Sequence, residues 1–248
     1  MGISAVVLTQ NCASTLAATL ESLSFCDEII VIDDHSTDDS GAIAKKYDAV
    51  VYTRSLDGDF AAQRNFGLAK ATHDWVLFID SDEVVSQALA HEIREAIQSV
   101  DVKGFYVKRR DILWGTPMVH GETADVRLLR LAKKGSGKWT RPVHEVWNVT
   151  GVVGTLEHPL DHTPHPSVAD FLSDINHYST INAAHFYKSG VRVTVWQIIG
   201  YPIAKFIRNY VIKRGYKDGT PGIIVALMMS FHSFLTRSKL WHLQKQQA

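Results

Sequence analysis

Two aspartates separated by one residue are the clearest chemical signal in the sequence. Asp80 and Asp82 directly follow the apolar run WVLFI (75–79), which has the composition of a strand buried on both faces. Carboxylates in this position can hold Mg²⁺ or Mn²⁺, which keep coordination sites for water and substrate phosphates. An isolated Asp-x-Asp can also be a solvated loop. Behind a buried strand, and with more acids at a neighbouring strand end, it favours a metal site for a nucleoside diphosphate.

A second acidic cluster follows another apolar run, EIIVI (28–32). Asp33 and Asp34 come directly after it, where either could accept a hydrogen bond from a nucleobase imino group or a ribose hydroxyl. Asp59 lies in the loop after the next predicted strand. Arg64, at the start of a predicted helix, could face the same pocket or be an ordinary surface arginine.

The segment RPVHE (141–145) is the third cluster. A glutamate in a partly apolar pocket can act as a general base, which is the functional interpretation of Glu145. The alternative is structural, with His144 and Glu145 bracing a turn. Spacing by itself leaves both interpretations open.

Several function classes are excluded by what the sequence lacks. The loop after the first predicted strand reads TQNC (9–12), with no Gly-x-Gly-x-x-Gly for a dinucleotide, and no P-loop motif is present. Two cysteines among 248 residues are too few for a disulfide scaffold. The first residues carry no basic segment typical of a signal peptide, so a cytoplasmic location is expected.

The first hundred residues alternate strand and helix patterns, which is typical of a parallel α/β sheet. Because ligands bind beyond the carboxyl ends of such strands, the acidic clusters are expected to converge there. We predict strands over 3–8, 28–32, 49–53, 75–79, 104–109 and 126–131, and helices from Ser14 or Thr15 to Leu23, over 61–70, and from Ser86 to Val100. Helices resume near Val168 and continue to the end.

Charge is distributed unevenly although the net charge is zero. Residues 1–100 carry sixteen Asp and Glu against six Lys and Arg, and from Phe186 onward the only acid is Asp218 against ten Lys and Arg. Apolar residues recur at helical spacing over 193–211, and a second apolar run covers 223–231, but neither reaches the roughly 20 apolar residues of a membrane span. The pattern favours docking on an anionic membrane surface. The alternative is packing on the catalytic domain or in a homo-oligomer.

In this order, the motifs AVVLTQN, VIDDHSTDDS, AAQRNFGLAKATHDWVLFIDSDE and RPVHE resemble the family 2 inverting glycosyltransferases of the GT-A fold. The resemblance is to small bacterial enzymes related to the lipopolysaccharide core β-1,4-glucosyltransferases. It covers nearly the full chain, including a tail motif over 208–222. It implies an α/β fold with a mixed, mainly parallel sheet flanked by helices, a catalytic domain over 1–166 and a helical, membrane-associating extension over 167–248.

The resemblance also implies roles for residues that match the family's motifs. Nucleoside binding is implied for Thr9 and for Asp33 or Asp34, with Arg64 near the base. Metal and nucleotide-sugar binding is implied for Asp80 and Asp82. Catalysis is implied for Glu145, with His144 as its support or as a further contact to the metal. Two motifs depart from the subgroup. Asp33-Asp34-His35-Ser36 replaces a single Asp followed by Ser-Gly-Ser, and the loop after strand one is Thr-Gln-Asn-Cys.

The expected activity is transfer of a sugar, glucose from UDP-glucose, to a hydroxyl of a lipopolysaccharide-core or other lipid-linked glycan. The cation offsets charge on the leaving diphosphate, and a carboxylate deprotonates the acceptor as it attacks from the opposite face, which inverts the anomeric centre. No nucleic-acid partner is expected, and the protein is expected on the inner face of the cell membrane. The alternatives are a nucleotidyltransferase, which usually carries a Gly-rich basic loop after strand one, and a non-catalytic nucleotide-sugar-binding module.

Overall fold

The computed structural model describes residues 1–142 and 145–246, which form two compact units. The first contains Met1–Arg109 and Val126–His162, and the second contains Arg110–Asp125 and the described residues from Thr163 onward. Residues 110–125 therefore belong to the second unit although they interrupt the first in sequence. The predicted division at residue 166 stays a prediction.

The elements alternate along the chain as the sequence predicts. The strands are β1 (Ile3–Thr9), β2 (Glu28–Asp33), β3 (Val50–Thr53), β4 (Trp75–Asp80), β5 (Glu83–Val85), β6 (Val102–Leu113), β7 (Thr116–Pro117), β8 (Val126–Lys133), β9 (Gly137–Thr140), β10 (Val146–Val149), β11 (Val152–Thr155) and β12 (Leu160–His162). The helices are α1 (Ala13–Ser22), α2 (Ser40–Lys46), α3 (Phe60–Lys70), α4 (Gln87–Ala96), α5 (Val168–Lys188), α6 (Val195–Ile207) and α7 (Gly219–Lys245).

The first unit is organised around one mixed sheet with the strand order β3-β2-β1-β4-β8-β6-β12-β5. The four strands from β3 to β4 are parallel, and β8 joins β4 and β6 in antiparallel orientation. Alternate residues of β1 contribute to two separate cores, Val7 to the one that includes Leu16 of α1, and Val6 to the one that includes Leu68 of α3. Helices therefore cover both faces, which explains the uninterrupted apolar runs and confirms the predicted fold class.

Two predicted helix boundaries are wrong. α1 begins at Ala13 rather than with a Ser14 or Thr15 cap, because side chains at the start of α2 bind the amides at its start. Ser40 Oγ accepts the Cys12 N–H and Asp38 Oδ2 accepts the Ala13 N–H, each at 2.9 Å. α4 ends at Ala96 instead of Val100, since the next amides turn back into tighter i→i−3 hydrogen bonds.

In the described part of the second unit, the end of β6 (residues 110–113) pairs with β7, and the remaining regular elements are helical. α5 and α6 both begin with a capping box, Ser167 with Asp170 and Thr194 with Gln197, so their starts are fixed locally. A π-helical turn (Arg208–Ile212) and a 3₁₀ turn (Gly215–Asp218) connect α6 to α7. The core of this unit consists of Leu113, Met118, Phe171, Ile175 and Val225.

The tail motif over 208–222 folds onto the loop at residues 120–122. A Cβ at Gly222 would lie 1.9 Å from the Gly215 carbonyl oxygen, so only glycine allows this approach. His120 donates its backbone N–H to Asp218 Oδ2 at 2.9 Å, and its Nδ1 lies 2.7 Å from Asp218 Oδ1. Asp218, the only acid of the basic tail, is therefore buried in an internal contact.

The helical segment Gly215–Lys245 is long and apolar enough to cross a membrane by length and composition, with 28% of its most apolar stretch buried. α6 leaves several large apolar side chains exposed, led by Trp196 at 82% and including Ile199, Ile203 and Ile207. Apolar surface of this kind marks interaction sites in soluble proteins.

Candidate active site

The carboxyl ends of the central parallel strands lie at one edge of the sheet. In the register of β1 with its two neighbours, Thr9 lies beside Asp33 of β2 and Leu8 lies beside Asp80 of β4. The acidic strand ends converge in space, as the sequence predicts. Asp59 plays another part, because its carboxylate accepts the Ala62 N–H and caps α3.

The predicted nucleoside-binding residues lie at the ends of β1 and β2. Asp33 Oδ1 accepts the Ser36 N–H and Asp34 Oδ1 accepts the Leu56 N–H, both at 3.1 Å, so each carboxylate also orders a loop. Thr9 is buried, and its hydroxyl has no hydrogen-bond partner within the part of the chain that the structure describes. A buried polar group without a partner is costly, which makes Thr9 Oγ1 a candidate for a ligand contact.

A chain of alternating charges connects two of the predicted clusters. Arg64 donates through Nε to Glu145 Oε1 and through Nη2 to Asp80 Oδ1, both at 2.8 Å. Arg130 Nη2 lies 2.5 Å from Asp80 Oδ2 and 3.0 Å from Glu83 Oε1. The order is therefore Glu145, Arg64, Asp80, Arg130, Glu83, with both oxygens of Asp80 bound by guanidinium groups.

Burial and charge act differently on the two carboxylates that Arg130 holds. Removal from water opposes ionisation of Asp80, but Arg130 and Arg64 outweigh it and hold the pKa of this carboxyl well below its usual range. Glu83 has no solvent exposure, and burial together with the charge of Asp80 raises its pKa although Arg130 opposes the shift. Burial likewise disfavours the charged Arg130, yet the two carboxylates raise its pKa.

Arg130 reaches these carboxylates from a β-bulge in the sheet. Phe105 pairs with Leu131 and Tyr106 pairs with Leu129, so Arg130 is an additional residue of β8 without its own partner in β6. A bulge re-aims side chains and is common beside active sites. Arg130 nevertheless remains almost completely buried.

Asp82, the second acid of the Asp-x-Asp pair, lies beside a histidine from a distant segment. His162 Nε2 is 3.3 Å from Asp82 Oδ2, because β12 pairs with β5 and places His162 opposite Glu83. The described residues contain no group of three or more His, Cys, Asp or Glu that could hold a metal by themselves. The Asp82 carboxylate suits a Mn²⁺ or Mg²⁺ ion that takes its other ligands from a diphosphate and water, whereas the His162 imidazole suits a transition-metal ion better than Mg²⁺.

Glu145 lies at the tip of a hairpin formed by β9 and β10, with its side chain largely buried at 17% exposure. His144, predicted to support it, lies outside the described residues. The hairpin rests on an aromatic cluster, in which Trp139 and Trp147 stack at 5.2 Å between ring centroids and both meet the edge or face of Phe78 from β4.

The structure thus brings Arg64, Asp80 and Glu145 into direct contact. The carboxylates of Asp33 and Asp34 bind backbone N–H groups of nearby loops instead, and the Thr9 hydroxyl has no partner in the described part of the chain. Sequence reasoning missed Arg130, Glu83 and His162. For Arg130 a signal existed, since an arginine inside the apolar strand VRLLRLAK is a charge that burial leaves in need of partners. No local pattern marks His162, because only the pairing of β12 with β5 places it there.

Comparison with solved structures defines the class of fold. The chain is similar to residues 1–349 of TarS from S. aureus, with a TM-score of 0.51 at 16% identity over 100% of this chain and 92% of that one. At this identity the likeness concerns the fold alone. It agrees with the GT-A architecture predicted from the sequence.

Residues 4–144 match the family model described as glycosyl transferase family 2, and the chain belongs to this family. A curated relative, the lipopolysaccharide core biosynthesis glycosyltransferase LpsC of Rhizobium meliloti (strain 1021), is 30% identical over 96% of this chain and 92% of its own length. An uncharacterized glycosyltransferase of Rickettsia conorii (strain ATCC VR-613 / Malish 7) is 26% identical over 96% of this chain and 89% of its own. The resemblance found in the motifs is confirmed.

Proposed function

We propose that the protein is a metal-assisted inverting glycosyltransferase that moves a sugar, glucose from UDP-glucose, to a hydroxyl of a lipopolysaccharide-core or other lipid-linked glycan. The observation that carries the proposal is the Arg64 bridge, which holds Glu145 and Asp80 in one site although they are 65 residues apart in sequence. The acceptor class follows the relative named as a lipopolysaccharide core glycosyltransferase.

Donor binding is assigned to the edge formed by β1, β2 and β4. Thr9 and either Asp33 or Asp34 bind the nucleoside, which is supported by the unpartnered hydroxyl of Thr9. Asp82 and His162 hold Mg²⁺ or Mn²⁺, and the bound ion supplies positive charge that stabilises the leaving diphosphate. Asp80 has both oxygens on arginines, so its part in metal and nucleotide-sugar binding is to fix those two guanidinium groups beside the diphosphate.

Glu145 is the proposed catalytic base. Arg64 Nε occupies Oε1, so the second oxygen is the one assigned to receive the proton of the acceptor hydroxyl. A hydroxyl has a pKa far above 7 and becomes a useful nucleophile only as a base removes its proton. Attack opposite to the departing diphosphate inverts the anomeric centre. His144 is proposed to support Glu145 or to reach the metal, on the resemblance alone.

The enzymatic proposal is tested by nucleotide release from a panel of UDP-, GDP- and dTDP-sugars with Mn²⁺ and glycan acceptors. We expect turnover with a UDP-sugar, loss of at least ~100-fold in Glu145→Gln, in line with loss of a general base, and loss of Mn²⁺-dependent UDP binding in Asp82→Ala and His162→Ala. Glu95→Gln, on the exposed face of α4, is the matched charge control.

The result separates the competing functions. Undiminished turnover in Glu145→Gln removes this residue from the role of base. UDP binding without turnover of any donor supports a non-catalytic binding module, and consumption of a nucleoside triphosphate with a sugar 1-phosphate supports a nucleotidyltransferase.

Association of the helical extension (167–248) with the inner, anionic face of the cell membrane is part of the proposal. It is supported by the exposed apolar face of α6, by the apolar segment Gly215–Lys245 and by the lysines and arginines of a tail whose single acid is buried. The alternative is that this face joins two copies of the chain in a homo-oligomer.

Liposome flotation distinguishes the two. We expect flotation with anionic vesicles that weakens with salt and is lost in Trp196→Ser with Ile203→Ser. Val100→Ser, at a residue of the first unit that is 73% exposed, is the control for loss of an apolar side chain from the surface. A dimer in solution together with indifference to lipid would contradict the membrane assignment.

A further inference from the structure

Few backbone hydrogen bonds join the hairpin that carries Glu145 to the rest of the first unit. Among the strands of the described residues, β9 and β10 pair only with each other and form a separate two-stranded sheet. An isolated hairpin of this size is marginally stable. Contacts from other elements therefore determine where Glu145 lies.

Aromatic packing attaches the hairpin to the sheet but does not fix its exact position. Trp139 and Trp147 lie against Phe78, with ring centroids 5.1 and 5.0 Å from it. Apolar packing is largely non-directional, so it tolerates small shifts along the hairpin. It holds the hairpin onto the sheet without fixing the base to within the ångström that proton transfer requires.

Asn65 of α3 makes directional hydrogen bonds to the hairpin. Its Nδ2 donates to the Trp139 carbonyl oxygen at 2.8 Å, and its Oδ1 accepts the Trp139 N–H at 3.0 Å. One side-chain amide thus binds both backbone groups of a single β9 residue, as a neighbouring strand would. Two parallel bonds fix both the height and the rotation of the hairpin at this point.

The same helix holds the tip of the hairpin at two further points. The Phe60 N–H donates to the Pro142 carbonyl oxygen at 2.9 Å, and Arg64 Nε binds Glu145 Oε1 at 2.8 Å. The Arg64 guanidinium also lies 4.8 Å from the Trp139 ring centroid. Helix α3 therefore contacts the base, the strand before it and the turn between them.

We propose that Asn65 is a positioning residue for catalysis, because its double bond to the Trp139 backbone sets the position of Glu145. The proposal rests on the assignment of Glu145 as the base. Arg64 holds the carboxylate itself, whereas Asn65 acts only through the backbone of β9. Its contribution is thus separable from donor binding.

The test compares Asn65→Ala, which removes both bonds, with Asn65→Asp, which keeps an acceptor for the Trp139 N–H and loses the donor to its carbonyl. Asn148→Ala is the matched control, since within the described residues the side chain of this exposed asparagine of β10 bonds to Thr140 Oγ1 of the same hairpin and to no other element. Each is measured for kcat with the donor that the wild type turns over, for the UDP Kd with Mn²⁺, and by 5-fluorotryptophan NMR.

We expect kcat to fall about 10- to 100-fold in Asn65→Ala and by less in Asn65→Asp, because displacement of a catalytic group by about 1 Å costs rate on the order of 10²-fold. The UDP Kd is expected to stay within ~2-fold, since Asn65 contacts neither the strand ends nor the Asp82 site. The resonances of Trp139 and Trp147 are expected to shift in Asn65→Ala and not in Asn148→Ala.

Separate outcomes overturn the two levels of the proposal. An unchanged kcat in Asn65→Ala, with Glu145→Gln inactive, refutes the positioning role and leaves the base assignment intact. A UDP Kd that rises in parallel with the fall in kcat also refutes it, because Asn65 then supports the whole site. Full turnover in Glu145→Gln, or turnover of no donor by the wild type, refutes the proposed function as well.

Discussion

Replacement of Arg130 by methionine is expected to destabilise the first unit strongly. Arg130 forms a salt bridge with Glu83, whose side chain is fully buried, and among the positive charges that act on this carboxylate its effect is larger than that of His162. Without Arg130, the folded protein keeps the Glu83 side chain buried by protonating its carboxylate. Moving the carboxyl from its ordinary pKa of 4.5 to neutrality at pH 7 costs about 1.4 kcal/mol per pH unit, which sets an upper limit of about 3 kcal/mol because the pKa of Glu83 is already raised in the wild type. This limit lies at the lower end of the ~3–5 kcal/mol typical of a broken buried pair.

The pH dependence gives a second signature with a definite sign. Burial and the charge of Asp80 already raise the pKa of Glu83 above its unfolded value in the wild type, and loss of Arg130, which opposes this shift, raises it further in Arg130→Met. Above pH 4.5 the folded variant therefore binds more protons than the unfolded chain, over a wider pH range than the folded wild type does. Stability therefore falls with rising pH over this range, by up to about 1.4 kcal/mol per unit. The deficit against the wild type is expected to be large at pH 7 and small at pH 5.

Urea unfolding in EDTA, followed by tryptophan fluorescence and circular dichroism, measures both effects. Arg127→Met is the control, since Arg127 is exposed on the same strand, and we expect it to change stability by no more than ~1 kcal/mol, the upper value for an interaction of an exposed charge. Adding Glu83→Gln to Arg130→Met removes the carboxylate and should restore part of the loss and flatten the pH dependence. Equal destabilisation by Arg127→Met and Arg130→Met, or a deficit independent of pH, would refute the reasoning.

Two further predictions concern titratable groups away from the site. Partial burial opposes ionisation of Glu92, but hydrogen bonds from the Glu157 and His158 amides and from the His158 imidazole lower its pKa in the folded state. The stability that the Glu92 carboxylate contributes is therefore present above pH 4.5 and is lost as the pH falls through the lower folded pKa. Glu92→Gln should cost about 1–2 kcal/mol at pH 7 and flatten thermal unfolding profiles below pH 5; parallel profiles would argue against it. Burial raises the pKa of Cys26 to about 12, so iodoacetamide at pH 8 should leave it unmodified in the folded protein and alkylate it in urea, as read by mass spectrometry; equal rates would contradict this.

The sheet could be predicted from the sequence because its central strands are buried on both faces. β1 and β4 are continuous apolar runs, which is the composition of strands in a parallel sheet that is covered by helices on both faces. The start of α1 could not be predicted in this way. Its caps come from Asp38 and Ser40, which lie 25 and 28 residues from the amides they bind.

The same distinction applies to the site. Asp80 and Asp82 are evident because one local pattern, a buried strand followed by two acids, contains the whole signal. The contact between Arg64 and Glu145 spans 81 residues and depends on where the β9–β10 hairpin rests against α3. The place of His162 beside Asp82 depends on the pairing of β12 with β5, which cannot be predicted from the spacing of residues in the sequence.

The arrangement of charges separates the tasks of the two aspartates in the motif. The chain from Glu145 to Glu83 contains three carboxylates and two guanidinium groups, so the two arginines leave no excess positive charge for a diphosphate. A divalent cation supplies that charge, and the Asp82 carboxylate attracts it. Because the arginines already bind both oxygens of Asp80, the carboxylate that remains for a cation is Asp82, with His162 beside it. We therefore infer that Asp80 organises the two guanidinium groups, and that the charge balance of the site makes nucleotide binding dependent on Asp82 and the ion it holds.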